Sequence, residues 1–333
     1  MKPILKILLL LTYFSVSCTP QIYPPTALST AGRIAKNKFH AGDGAILPFR
    51  SWLPKNTAQA VIIAVHGFND YSHFFHDSGE YFSQHGIASY AFDQRGFGET
   101  SIRGLWPGIE TLKHDLTQFT RLIKSNHPDT PIYLLGESMG GAVVMVTMAD
   151  TEKPEVDGII LSAPAVWSRQ TMPWYQRTLL WTLSHTLPWM TLTGRGVIKV
   201  TPSDNIEMLR ELGSDPLIIK ETRVETIYGL VNLMDTAFHQ SDNINSQTLL
   251  LYGAKDEIIP IEPVKLVLSK WFKEDHTHKK IAIYENGYHM LLRDHQASTV
   301  WQDVATWIKS PNSPLPSGFG ITERNLLSSN VRP

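Results

Sequence analysis

The sequence predicts an α/β protein: a mostly parallel sheet with helices on both faces and an inserted α-helical cap. Three observations carry this. Short apolar runs recur between residues 60 and 161 and again between 248 and 284, each closed by a polar or glycine-bearing turn. Stretches of helical period lie between them. One long segment, 166–243, has no comparable strand run. Continuous apolar runs are what strands buried on both faces require, and their alternation with helices implies parallel pairing.

In chain order, Ala60–Val65 is the first such run and ends at His66-Gly67. Ile87–Phe92 follows, ended by Asp93-Gln94-Arg95-Gly96. Ile109–Lys124 reads as a helix, with Leu112, Leu116, Phe119 and Ile123 on one face. Ile132–Leu135 is the next strand, ended by Gly136, with a helical run at Ala142–Met148; Gly158–Leu161 is the fourth. The insertion holds Trp167, Trp174, Trp181 and Trp189, four of nine tryptophans, and a helical pattern at Glu225–Phe238. Strands resume at Thr248–Gly253 and Ile281–Tyr284, bridged by a crossover helix at Pro263–Phe272. The core is therefore expected to be 33–165 plus 244–310, with the cap at 166–243. Residues 311–333, with four prolines, read as a flexible tail.

With 30 basic and 31 acidic residues and no basic run, the chain has no field to draw in nucleic acid. No repeat of solenoid period is present, and no obligate protein partner is evident. The N-terminus reads as a targeting segment: Lys2 and Lys6, an apolar stretch Ile7–Phe14 too short to span a bilayer, then Ser15-Val16-Ser17-Cys18. Small residues before the only cysteine resemble a bacterial lipoprotein signal, residues 1–18, with Cys18 lipidated and 19–32 a tether. A plain secretory signal is the alternative. Thr19 stands where an aspartate would suggest inner-membrane retention. The expected location is the cell envelope, lipid-anchored on the periplasmic side of the outer membrane.

The chemistry concentrates at Gly136-Glu137-Ser138-Met139-Gly140-Gly141, between a strand and a helix. A serine hydroxyl is a weak nucleophile and must project from a sharp turn toward a base. Asp256 follows one later strand and His289 the next, 33 residues on, so both fall on one edge of the sheet. His289 is the expected base and Asp256 its orienting acid; His295 is the second choice for the base, and Asp235, Asp242 and Glu257 are weaker acids. An oxyanion hole needs two backbone N–H groups, assigned to Phe68 and Met139. His66 is read as a structural residue and Arg95 as the partner of a carboxylate. No metal is called for.

These residues resemble the monoacylglycerol lipase and lysophospholipase branch of the α/β-hydrolases, a serine aminopeptidase S33-type family. The resemblance is carried by His66-Gly67-Phe68, Asp93-x-Arg95-Gly96-x-Gly98, the Ser138 pentapeptide, Gly253-x-x-Asp256 and Tyr288-His289, with Ser214-Asp215-Pro216-Leu217 in the cap. It spans roughly 40–310 and implies a capped active site, an acyl-chain tunnel, no cofactor, and a small lipid or ester as substrate. A histidine usually precedes the nucleophile in that family; Glu137 stands here and is expected to stay out of the chemistry. The family's glycerol-recognising Glu, Arg and His fall at Asp70, Phe74 and Leu292. Asp70, Trp167 and Trp174 are the candidate substrate contacts, the tryptophans being alternatively the core of a small helical insertion. The alternatives to an esterase are a peptidase, an acyltransferase, or a lipid-binding lipoprotein without catalysis.

Overall fold

A computed structural model describes residues 19–24, 31–193, 200–273 and 278–321. Cys18 and the signal segment lie outside the described residues. An antiparallel meander opens the fold: β1 (Arg33–Ala35), β2 (Lys38–His40) and β3 (Ile46–Trp52). β4 (Ala60–Val65), α1 (His76–Gln84), β5 (Ile87–Phe92), α2 (Ile109–Asn126), β6 (Ile132–Glu137), α3 (Met139–Met148) and β7 (Gly158–Ser162) then alternate. After β7 the chain leaves the sheet for α4 (Trp174–Thr186), α5 (Ile206–Ser214) and α6 (Val224–His239), with a two-residue ladder between β8 (Thr191–Leu192) and β9 (Thr222–Arg223). It returns through β10 (Thr248–Gly253), α7 (Ile261–Lys273), β11 (Lys279–Tyr284), α8 (Ala297–Lys309) and β12 (Gly320–Ile321).

The ten strands run in the order β1-β2-β3-β5-β4-β6-β7-β10-β11-β12. All neighbours from β5 to β11 pair in parallel; the meander and β12 pair antiparallel at the two ends. In β4, β6, β7 and β10 every residue is buried, as their unbroken apolar runs demand. Alternate side chains feed two cores. Val61, Ile63 and Val65 pack with α2, α3 and α7 on one face, while Ile62 and Ala64 pack with α1 and α8 on the other. The expected mostly parallel α/β sheet with helices on both faces is therefore present.

Two regions differ from expectation. The described part of the tail, 311–321, is docked: Leu315 is buried, Tyr284 packs edge-on against Phe319, and Gly320–Ile321 extend the sheet. Its prolines fit this role, because it covers the outer edge of β11, which would otherwise present unpaired backbone. Part of the expected tether is docked too. The Tyr23 N–H donates to the Trp106 carbonyl at 2.9 Å and the Gln21 N–H to Glu225 Oε2 at 3.3 Å.

Candidate active site

Parallel strands aim their carboxyl ends at one rim, and the loops leaving β4, β6, β10 and β11 carry the residues singled out from sequence. Ser138 sits in the one-residue turn between β6 and α3 with φ 54° and ψ −116°, a conformation that side-chain-bearing residues rarely adopt. The turn is clamped from behind: the Ser138 N–H donates to the Ser162 carbonyl at 2.9 Å, and the Ala165 N–H to the Ser138 carbonyl at 2.9 Å. Gly140 is required because a Cβ there would lie 2.0 Å from the Val65 carbonyl oxygen.

His289 Nδ1 bonds Asp256 Oδ2 at 2.8 Å, and both side chains are almost fully buried. The other Asp256 oxygen accepts the N–H groups of Ile258 and Ile259 at 2.8 and 2.9 Å. An ionised carboxylate fixed this way holds the ring in the tautomer with its proton on Nδ1, leaving Nε2 to accept. The two loops fit together at Gly253, where a Cβ would lie 2.3 Å from the Tyr288 carbonyl oxygen. The alternatives fall away from this arrangement: His295 is exposed and donates its N–H to Asp204, and Glu257 is exposed and accepts from the Thr201 N–H.

Ser138, His289, Phe68, Asp70 and Trp167 all line one cavity of about 490 Å³. Met139, fully buried, begins α3, so its N–H lacks an intrahelical acceptor. Cap residues Met172, Leu180, Leu230, Val231 and Met234 make the cavity's far wall apolar. Trp174 does not belong to it. It is 70% exposed, on the outer side of α4. Gln176 and Leu180 form the inner side, and a residue two positions before Gln176 lies about 200° round the helix.

His66 is fully buried. Its Nδ1–H donates to the Gly67 carbonyl at 2.7 Å, and its Nε2 accepts the Gln94 N–H at 2.9 Å. Burial lowers its pKa, so the ring stays neutral and works as a strut between two loops. Arg95 bridges Asp115 (2.7 and 2.9 Å) and Asp43 (2.5 and 3.2 Å).

Two site residues escaped the sequence reading. Arg293 Nη1 contacts Asp70 Oδ2 at 2.8 Å and its Nη2 contacts Glu137 Oε1 at 2.6 Å; all three are buried and all line the cavity. Glu137, expected to play no part, is therefore a wall of the site beside the nucleophile. Burial pushes its carboxyl above the ordinary glutamate range, against the pull of Arg293. Its Oε2 and the Arg293 Nε have no hydrogen-bond partner among the described residues. The signal was present one residue beyond Leu292: a cation four positions after the base. Phe74 lies buried under the guanidinium, 5.8 Å from ring centre to Cζ, and Leu292 is core.

Residues 56–296 match the family described as serine aminopeptidase, S33. The chain belongs to that family. It is 24% identical over 294 residues to a monoacylglycerol lipase of Mycolicibacterium smegmatis, covering 83% of this chain and 97% of the relative. It is 28% identical over 276 residues to the monoglyceride lipase of Mus musculus, covering 80% and 88%. A solved structure of Saccharomyces cerevisiae monoglyceride lipase, a soluble variant with a substrate analog, superposes with a TM-score of 0.70 at 19% identity, over 87% of this chain and 99% of that one. The fold is the α/β-hydrolase fold.

Proposed function

We propose that this chain hydrolyses carboxylic esters of monoacylglycerol or lysophospholipid type through an acyl-enzyme on Ser138. The observation that carries it is the Asp256–His289 pair, fixed at 2.8 Å, on the same cavity as a serine held at positive φ. Ser138 Oγ attacks the ester carbonyl and its proton passes to His289 Nε2. The N–H groups of Phe68 and Met139 receive the oxyanion. The carbon–oxygen bond to the alcohol breaks as His289 returns the proton to the leaving oxygen. Water then attacks the acyl-serine by the same route and releases the acid. Lipase and monoglyceride lipase relatives support the ester class.

The apolar wall takes the acyl chain, and the Asp70–Arg293–Glu137 group faces the alcohol. The carboxyl oxygens of Asp70 and Glu137, held beside the Arg293 guanidinium, offer acceptors to the hydroxyl or ammonium groups of a head group. Asp70 and Arg293 also line a second cavity of about 200 Å³, giving a polar head group room. The same carboxyl oxygens support a second reading, in which the site takes a free N-terminal ammonium and acts as a peptidase.

A panel of monoacylglycerols, lysophospholipids, p-nitrophenyl esters and aminoacyl arylamides, given to wild type and Ser138→Ala, decides. Ester turnover lost in Ser138→Ala is the expected result. Arylamide turnover exceeding ester turnover would favour the peptidase. Failure of the wild type to react with a fluorophosphonate would leave only a lipid binder. We further propose that Cys18 is lipidated and tethers the enzyme to the bacterial outer membrane, which metabolic labelling with a fatty acid tests.

A further inference from the structure

The loop that carries Phe68, residues 66–71, is held to the core on one side and to the cap on the other. On the core side the Asp70 carboxylate meets Arg293, and the His66 ring bridges to Gln94. On the cap side one segment, 215–222 between α5 and β9, supplies three partners. The Ile219 N–H donates to the Asn69 carbonyl at 3.1 Å, Asn69 Nδ2 donates to Thr222 Oγ1 at 2.7 Å, and the Tyr71 hydroxyl donates to Asp215 Oδ2 at 2.7 Å. The other Asp215 oxygen accepts the Leu217 N–H at 2.8 Å, so this carboxylate is fixed from both ends. The Ser214-Asp215-Pro216-Leu217 stretch of the cap thereby becomes part of the loop's support.

Of these grips, the one on Asn69 lies nearest the chemistry. Asn69 follows Phe68 directly, and its φ of 64° lies in the left-handed region that glycine adopts freely and asparagine tolerates. Glycine would therefore suffice for the turn. What asparagine adds is an amide that reaches Thr222, a residue 7% exposed and paired with Leu192 in the β8–β9 ladder. The amide's Oδ1 is buried and has no hydrogen-bond partner among the described residues. A half-satisfied buried amide costs free energy that glycine would avoid, so its presence points to the bond it does make. The cap thus holds residue 69 by side chain and carbonyl together, one residue beyond the N–H assigned to the oxyanion.

We propose that Asn69 is a positioning residue that couples the cap to the oxyanion hole: the Phe68 N–H is in register only while segment 215–222 grips residue 69. This rests on the hydrolysis and the Phe68 assignment proposed above. An oxyanion donor works over a narrow range, about 2.7–3.1 Å from the charged oxygen. A displacement of about 1 Å costs on the order of 100-fold in rate. The cap then does more than wall the acyl chain. It contributes to every turnover, including that of an ester too short to touch its apolar side.

The test compares Asn69→Gly, which keeps the turn and deletes the amide, with Thr222→Val, which deletes the hydroxyl from the cap side, and Thr222→Ser, which keeps it. Each is assayed on p-nitrophenyl acetate and on a long-chain p-nitrophenyl ester, and titrated with a trifluoromethyl ketone. That ketone takes Ser138 Oγ onto its carbonyl carbon, moves the π pair to oxygen as an oxyanion, and leaves the serine proton on His289. Asn69→Gly and Thr222→Val should each lower kcat about 10- to 100-fold on both esters with KM nearly unchanged, and weaken the ketone by the same factor. The double variant should fall no further, because both changes delete one bond; Thr222→Ser should keep the wild-type rate. A wild-type kcat in Asn69→Gly, a loss confined to KM for the long ester, or a kcat loss with unchanged ketone affinity overturns the coupling and leaves the hydrolysis standing. A wild type that turns over no ester and ignores the ketone defeats the proposed hydrolysis, and the coupling with it.

Discussion

Helices α3 and α4 are both rich in large apolar side chains and meet opposite fates. Every residue of α3 is buried, whereas on α4 only Ser184 is. Neighbours make the difference. α3 lies between the sheet and α6, so it must be apolar all round, while α4 leans on α6 from one side and leaves the other uncovered. Apolar content alone does not say where a helix sits. The buried helix begins immediately after the nucleophile and holds that turn in a packed setting that tolerates no added atom at Gly140. The exposed helix contributes one cavity wall through Gln176 and Leu180 and turns the rest of its surface outward.

The largest effect should come at the rim above α3. Asp256→Asn keeps the hydrogen-bonding shape and lets the His289 ring adopt the wrong tautomer, so kcat on a soluble ester should fall by about 10⁴-fold with the fold intact. A near-normal kcat would deny Asp256 its role. Met145→Ala in α3, at a site 1% exposed, should lower stability by about 2–5 kcal/mol in a urea titration, through lost burial and the cavity left behind. If it costs less than Trp181→Ser, the contrast between the two helices is wrong.

A smaller effect concerns pH. Burial raises the Asp294 carboxyl to about 6 from its ordinary 3.8, although it accepts from the Ser203 hydroxyl and the Tyr288 N–H. Between those values the folded chain keeps a proton that the unfolded chain has released, so stability falls as pH rises through that window. Asn cannot ionise. Comparing urea midpoints near pH 4 and near pH 7, Asp294→Asn should move in its favour relative to wild type at the higher pH. The smallest effect is Trp181→Ser, at 57% exposure, which should change stability by no more than about 0.5 kcal/mol.

Much of this was legible in the chain itself. The strands at 60–65, 87–92 and 248–253 stand at their expected bounds, because a strand covered on both faces has no choice but an unbroken apolar run. The motif order around Ser138 placed three loops on one rim because parallel strands share a direction. The edges were harder. β3 contains Pro48 and is only half buried, so it carries no such run, and β12 is two residues long. Trp174 was misread because spacing shows which residues share a face without saying which way that face turns. Glu137 and Arg293 were missed for another reason: a carboxylate beside the nucleophile makes sense only once a cation 156 residues away is seen to reach it.

The stretch 201–205 is sewn to the loop that follows the base. The Met290 N–H donates to the Pro202 carbonyl, Ser203 Oγ to Asp294, Asn205 Nδ2 to the Arg293 carbonyl, and the His295 N–H to Asp204. This side of the cap is thereby mechanically continuous with the imidazole's own support. Swinging it away would tear four bonds and slacken the backbone on which proton transfer depends, so an entrance that opens without that damage has to lie elsewhere along the cap.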